Sequence, residues 1–155
     1  MSERPEAEPL DIDALVDRFV GPVYDEIEVT FDAAELAACA AACGETASRY
    51  LDPADADFQA TPTIPTQLQP KQRFPGGFPT VAGLGMDAGK AIETLAPIRP
   101  GEPIRARTHL HEIYTKTGRS GRMVFFVTRM ELFDQAEQKL AVSDTRIVIR
   151  EKPSE

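Results

Sequence analysis

Three long alternating segments at the end of the chain constrain its fold most. In "PIRARTHLHEIYTK", residues Ile104, Ala106, Thr108 and Leu110 fall on one side. Arg105, Arg107, His109 and His111 fall on the other. This two-residue period is that of a strand with one apolar face. "TGRSG" at 117–121 reads as a hairpin turn. "RMVFFVTRMELF" then runs apolar on both faces at its start, "DQAEQ" turns again, and "KLAVSDTRIVIR" closes the set. Long strands joined by tight turns predict an antiparallel meander. Such a sheet must bury one face, so the rest of the chain has to supply the cover.

The preceding residues offer that cover. "DIDALVDRFVG" places Ile12, Leu15, Val16 and Phe19 on one helical face, with Gly21 and Pro22 ending the helix. "DEIEVTF" alternates Ile27, Val29 and Phe31 with Glu26, Glu28 and Thr30, as a further strand would. "DAAELAACAAACG" reads as a helix with Asp32 as N-cap, Glu35 completing a capping box and Gly44 at the C-terminal stop. "GKAIETLAPI" predicts another strand. From Leu51 to Thr80 regular structure fades, because Pro53, Pro62, Pro65, Pro70, Pro75 and Pro79 forbid a long helix. A long irregular segment in a compact domain is uncommon and often functional. No internal repeat is visible, and 155 residues suit one domain with its own core. The expected division is a flexible tail at 1–10, a domain at 11–150 and a short tail at 151–155.

Several function classes drop out. The formal net charge of −8 argues against a nucleic-acid backbone as main partner. No apolar run approaches the roughly 20 residues of a membrane helix, so no membrane insertion is expected. "MSERPEAEPLDID" is acidic and has no apolar signal core, and a soluble cytoplasmic protein is expected. Cys39 and Cys43 stand four apart on a helix with no third ligand nearby and read as buried small residues. His109 and His111 lack a third ligand as well. They share a basic stripe with Arg105 and Arg107, either a solvated sheet face or a site near phosphates or an acidic partner. No metal site is expected. "FPGGF" at 74–78 lacks the Lys-Ser or Lys-Thr of a phosphate loop, and reads as a surface turn or as a gate for an acyl chain. Ser48 and Ser120 have no evident triad partners.

The element order, with "CGETASRYLDPADA", "ATPTIP" and "PIRPGEPI", resembles the MaoC-like (R)-specific enoyl-CoA hydratases and 3-hydroxyacyl dehydratases. The likeness spans about residues 20 to 150 and is greatest to the N-terminal-type, non-catalytic domains. It implies a single α+β hot-dog fold, with an antiparallel sheet of about five strands wrapped on a degenerate central helix. Catalytic members carry Gly-Asp-x-Asn-Pro-x-His-x-Asp-Pro. Here Gly44, Asp52 and Pro53 match, but Glu45 falls on the catalytic aspartate, Tyr50 on the histidine, and Ala47 and Ser48 on Asn-Pro. Catalytic members also carry Ala-His-Gly, whose glycine N–H polarises the thioester carbonyl. Thr61 and Pro62 stand there, and a proline has no N–H to donate.

These exchanges matter chemically. Hydration of an enoyl thioester needs a base for water, a proton for C2 and a donor for the growing oxyanion. A phenol with a pKa near 10 is a poor base at neutral pH. Losing the base costs on the order of 10²–10⁴ in rate, and losing an oxyanion donor costs about another 10²–10³. No catalytic residue and no cofactor are therefore expected. The resemblance instead implies a substrate-tunnel subunit for long or bulky acyl groups, steroid side chains included, carried on coenzyme A or acyl carrier protein. Its partner would be a catalytic MaoC-like hot-dog subunit in a heterodimer or heterotetramer, and alone it would form a homodimer. Ile64, Leu68, Phe74 and Phe78 are the candidate substrate-binding residues. Two rival readings remain: an acyl-CoA thioesterase using Glu45 or Asp52, and a homodimeric acyl-CoA-binding module without turnover.

Overall fold

The computed structural model describes residues 10–119 and 121–151. Of the expected tails at 1–10 and 151–155, residues 1–9 and 152–155 lie outside the described residues, as does Ser120. The element order is α1 (Ile12–Phe19), β1 (Val23–Val29), α2 (Ala33–Ala42), α3 (Ser48–Leu51), a 3-10 turn (Ile64–Gln67), β2 (Leu84–Thr94), β3 (Ile104–Gly118), β4 (Gly121–Phe133) and β5 (Lys139–Arg150). The five strands form one antiparallel sheet in the order β1-β3-β4-β5-β2. The expected meander is β3-β4-β5, and the two earlier strands close its opposite edges.

Local chemistry accounts for these boundaries. Asp11 caps α1 by accepting from the Ala14 N–H, and Asp32 caps α2 by accepting from Ala34 and Glu35. At the other end of α2, Gly44 adopts φ +78°. Its N–H donates to Ala41, and that of Glu45 donates to Ala40, so a left-handed glycine closes a Schellman motif. Strand β1 stops at Val29, two residues before the expected Phe31. The Asp32 cap turns the chain there, and the Phe31 carbonyl is taken by Gly101 N–H. Strand β2 begins five residues earlier than expected, because Gly83 at φ +141° lets the backbone meet the end of β5 where a Cβ would lie 2.4 Å from the Arg150 oxygen. The cysteine expectation needs correction. Cys39 is half-buried against the core, but Cys43 is exposed, since it occupies the helix C-cap where the packed face has ended.

The inner face of the sheet carries two apolar clusters. In one, α2 and the stretch from Phe58 to Ile64 pack through Leu36, Ala40, Phe58 and Ile64 on Ile104, Ala106, Met130 and Leu132. In the other, α1 packs through Leu15 and Phe19 on Leu110, Ile113, Val124, Phe126 and Ile149. A register shift between Leu110 and Glu112 returns Ile113 to the packed face. Leu10 also joins this second cluster, with its N–H on the Glu151 carboxylate and its carbonyl accepting from Arg122. This sheet with helices on one face is an α+β hot-dog.

Phe126 is 1% exposed and meets the edges of both Phe74 and Phe78, at 5.5 and 5.7 Å between ring centroids. Phe126→Ala is expected to cost about 3–5 kcal/mol of stability, read from the urea midpoint. A loss below about 1 kcal/mol would show that this cluster repacks without it.

Candidate functional site

Between the two clusters the inner face is not covered by helix. The single helical turn among residues 52–83 is the 3-10 turn at Ile64–Gln67, and Pro65 within it is fully buried. A cavity of about 610 Å³ opens beneath the segment that follows. Its apolar lining includes Leu68, Phe74, Met130, Ile147 and Ile149. Its floor also carries Thr108, Thr128, Ser143 and Thr145, and its rim carries Lys71, Arg73, Asp87, Lys90 and Arg146.

The cover segment has no ladder of its own, so side chains satisfy its backbone. The Asp25 carboxylate accepts from Lys71 N–H at 2.9 Å. The Tyr24 hydroxyl donates to the Arg73 carbonyl at 2.9 Å. Burial, with the adjacent Asp25 carboxylate, raises the Tyr24 phenol above its ordinary pKa, which keeps it a donor. From the opposite edge, Lys90 Nζ donates to Thr66 at 2.8 Å and Thr94 Oγ1 to Pro62 at 3.2 Å. The segment is thus tied to both outer strands.

The four candidate substrate-binding residues divide. Leu68 and Phe74 line the cavity. Ile64 is 2% exposed inside the first apolar cluster, and Phe78 stacks on Phe74 at 4.7 Å and meets Phe19 edge-on. Both rings of "FPGGF" therefore point inward. Asp25, Thr108, Thr128, Ser143, Thr145 and Lys90 escaped the sequence reading as site residues. Two signals were present: Thr108 shares the face of Ile104 and Leu110, and Asp25 shares the parity of Ile27 and Val29.

The loop that would carry catalysis has different occupations. Tyr50 is 9% exposed, with the Arg49 guanidinium 4.8 Å above its ring. Glu45 follows the helix stop and is half-buried. Asp52 accepts from Ala54 N–H, and Asp55 accepts from Asp57 N–H and from the Ser48 hydroxyl. Those bonds lower the Asp55 pKa and fix the turn. Neither Glu45, Tyr50 nor Asp52 is among the residues lining the cavity.

The basic stripe lies on the outer face of the sheet. Arg105 and Arg107 pair with Glu137, and Arg107 also with Glu26 at 2.9 Å. Arg129 grips Asp144 through two bonds of 2.7 and 2.9 Å, which lowers the Asp144 pKa against the opposing effect of burial. His109 lies 4.0 Å from Glu131, and its ring centroid is 5.7 Å from that of His111. Burial pushes the His109 pKa down, with smaller help from His111 and Arg129 and opposition from Glu131 and Asp144. The stripe is a half-buried ionic network, not a freely solvated face. Among the described residues, no three His, Cys, Asp or Glu side chains are grouped to hold a metal ion. Among the same residues, no helix is long and apolar enough to cross a membrane.

Comparisons with known proteins agree on the fold. Residues 18–142 match the family described as the FAS1-like, dehydratase domain region. No curated protein matches the sequence. A MaoC-like dehydratase from Phytophthora capsici superposes with a TM-score of 0.71 at 18% identity over 90% of this chain, which spans about half (52%) of that protein. The C-terminally truncated HadBC (3R-hydroxyacyl-ACP dehydratase) complex from Mycobacterium tuberculosis gives 0.61 at 12% identity, covering 84% of this chain and 96% of that one. The ChsH1–ChsH2 complex from the same organism gives 0.58 at 12% identity, covering 89% and 84%.

The depressed His109 pKa has a consequence with a definite sign. The ordinary imidazole value is 6.5, so on acidification the unfolded chain binds a proton before the folded one does. Stability should then fall as pH drops from about 7 through 6.5 and level off once the folded His109 is also protonated. His109→Gln is expected to flatten the urea midpoint between pH 7 and 5.5. An unchanged slope in that variant would remove His109 as its source.

Proposed function

The chain belongs to the FAS1-like, dehydratase domain region family, and we propose that it is the substrate-shaping, non-catalytic half of an (R)-specific enoyl-thioester hydratase or dehydratase. It acts with a second hot-dog chain that supplies the aspartate, the histidine and the oxyanion donor. Its own contribution is the space that receives a long or bulky acyl group, delivered as a thioester of coenzyme A or acyl carrier protein.

The observation that carries this reading is the cavity under residues 68–74. Its volume of about 610 Å³ falls within the roughly 300–1,000 Å³ of small-ligand sites. It lies where Pro62, Pro65, Pro70 and Pro75 prevent a helix from filling the hot-dog. The Glu45 and Tyr50 positions support the same division of labour. A phenol half-stacked under Arg49 is no substitute for an imidazole that exchanges protons near neutrality. The two mycobacterial neighbours are complexes, which supports a hot-dog partner. A thioesterase reading is less well supported, because Glu45 and Asp52 stand away from the cavity lining and Asp52 is spent on a turn.

The purified chain is expected to leave crotonyl-CoA unhydrated, whereas a mixture with a hot-dog chain bearing Asp-x-Asn-Pro-x-His should turn over. Ordinary hydratase rates from the chain alone would refute the assignment, above all if Tyr50→Phe abolished them. Tight acyl-CoA binding with no turnover in any mixture would favour the binding module instead.

In the reconstituted pair, Phe74→Ala should lower kcat/KM for long acyl thioesters by about tenfold or more, since each lost methylene contact is worth roughly 0.8 kcal/mol. Four-carbon substrates should change by less than about twofold. Equal losses for both lengths would mean that residues 68–74 do not face the acyl chain.

A further inference from the structure

The outer face of the sheet divides into two unlike halves. One is the ionic network around Arg107, Arg129, Glu131 and Asp144, which pairs its charges internally. Beyond it, toward the β3–β4 hairpin, the register lines up Tyr114, Phe125, Val148 and Met86 in one row across four strands. The next row is Lys116, Met123, Arg150 and Leu84. Alternation places both rows on the face opposite Phe126, Ile147 and Ile149, and none of their side chains belongs to either apolar cluster.

Leu84 is 55% exposed and Met86 40%. The rings of Tyr114 and Phe125 stack at 4.8 Å, with the Lys116 ammonium 5.7 and 5.4 Å from their centroids. Arg146, two residues before Val148 on the same face, adds a cation to Lys116 and Arg150, and Glu112, two residues before Tyr114, adds one carboxylate. Among the described residues none of the three cations forms an ion pair. On a chain of net charge −8, an apolar strip rimmed by unpaired cations is complementary to an acidic surface with an apolar centre. The strip also adjoins the cavity, since Met86 and Arg146 line both. Asp87 pairs with Ile147 and Lys90 with Thr145, so Ala88 and Gly89 bulge opposite Arg146 and interrupt the β2–β5 ladder. Gly89 takes φ +97° there, and its N–H donates to the Asp87 carboxylate at 2.6 Å. Strip and cavity therefore meet at this bulge.

From this we infer that the acyl group arrives on a small acidic carrier protein, docked on the outer-face strip with its phosphopantetheine arm passing beside the bulge. The inference rests on the reading of the cavity as the acyl site, and it decides between the two carriers named for that site. Lys116 and Arg150 meet carboxylates of the carrier, and Leu84 and Met86 meet its apolar side chains. Coenzyme A has no apolar surface to set against this strip. A carrier protein has one, and an apolar centre within a charged rim is the ordinary anatomy of a protein interface.

The test uses the full chain and isothermal titration with one acyl group on three carriers: dodecanoyl-pantetheine, dodecanoyl-CoA and a dodecanoylated bacterial acyl carrier protein. The carrier protein should bind about tenfold or more tightly than the pantetheine thioester, and raising the salt from about 50 to about 500 mM should remove most of that advantage. Lys116→Glu with Arg150→Glu should weaken the carrier protein by about tenfold or more while changing dodecanoyl-pantetheine by less than about twofold, because neither residue lines the cavity. Leu84→Ser probes the apolar part of the strip separately, should the double variant fail to fold, and should weaken the carrier protein alone by about threefold or more. If the carrier protein binds no tighter than dodecanoyl-pantetheine, or its advantage survives in both variants, the inference is overturned while the acyl site stands. Binding of the strip to phosphatidylglycerol vesicles instead, lost in the double variant with no gain from the carrier protein, overturns it in the same way. If none of the three thioesters binds, the inference and the acyl site fall together.

Discussion

Five prolines, at 62, 65, 70, 75 and 79, decide what can lie on the inner face of this sheet. Each lacks a donor, and each interior one would cost a helix about 3 kcal/mol. A hot-dog sheet closes by wrapping something apolar. Here the available segment can offer one 3-10 turn, buried at Ile64 and Pro65, and then an extended stretch. The remaining architecture follows from that limit. The core splits into two clusters, one under α2 and one under α1, and the ground between them stays open.

An extended cover brings its own difficulty, because its carbonyls and N–H groups need partners. Asp25 and Tyr24 on one edge strand, and Lys90 and Thr94 on the other, meet that need. The cover is thereby held over the cavity from both sides without filling it. Phe74, stacked on Phe78 and edge-on to Phe126, anchors its far end in the second cluster. An acidic residue on an otherwise apolar strand face thus has a structural role: Asp25 substitutes for a backbone partner that a helix would have supplied internally.

Much of this was legible in the sequence. The period-two pattern from Ile104 to Arg150 gave the three central strands, and the Asp32 and Gly44 signals bounded α2 at both ends. Strand β2 was harder to bound, because its early residues Leu84 to Asp87 pair with the end of β5, and that pairing depends on the approach permitted by Gly83. Of the proposed tunnel residues, Leu68 and Phe74 face the cavity, while Ile64 and Phe78 pack into the flanking clusters. Sequence separates such residues poorly, because both environments favour the same side chains. Cys43 misled for a related reason. Its i, i+4 spacing from Cys39 is helical, yet the helix ends there and the face turns to solvent.

The central claim is that an acyl chain enters the space under residues 68–74. A long-chain acyl-CoA carrying a terminal diazirine tests it directly, with photolysis followed by mass spectrometric mapping of the labelled peptides. Label on residues 68–74, or on the inner-face positions Met130, Ile147 and Ile149, and loss of that label when unmodified acyl-CoA competes, is the predicted result. Label confined to the outer-face residues around Arg129 and Asp144, or insensitive to competition, would contradict it.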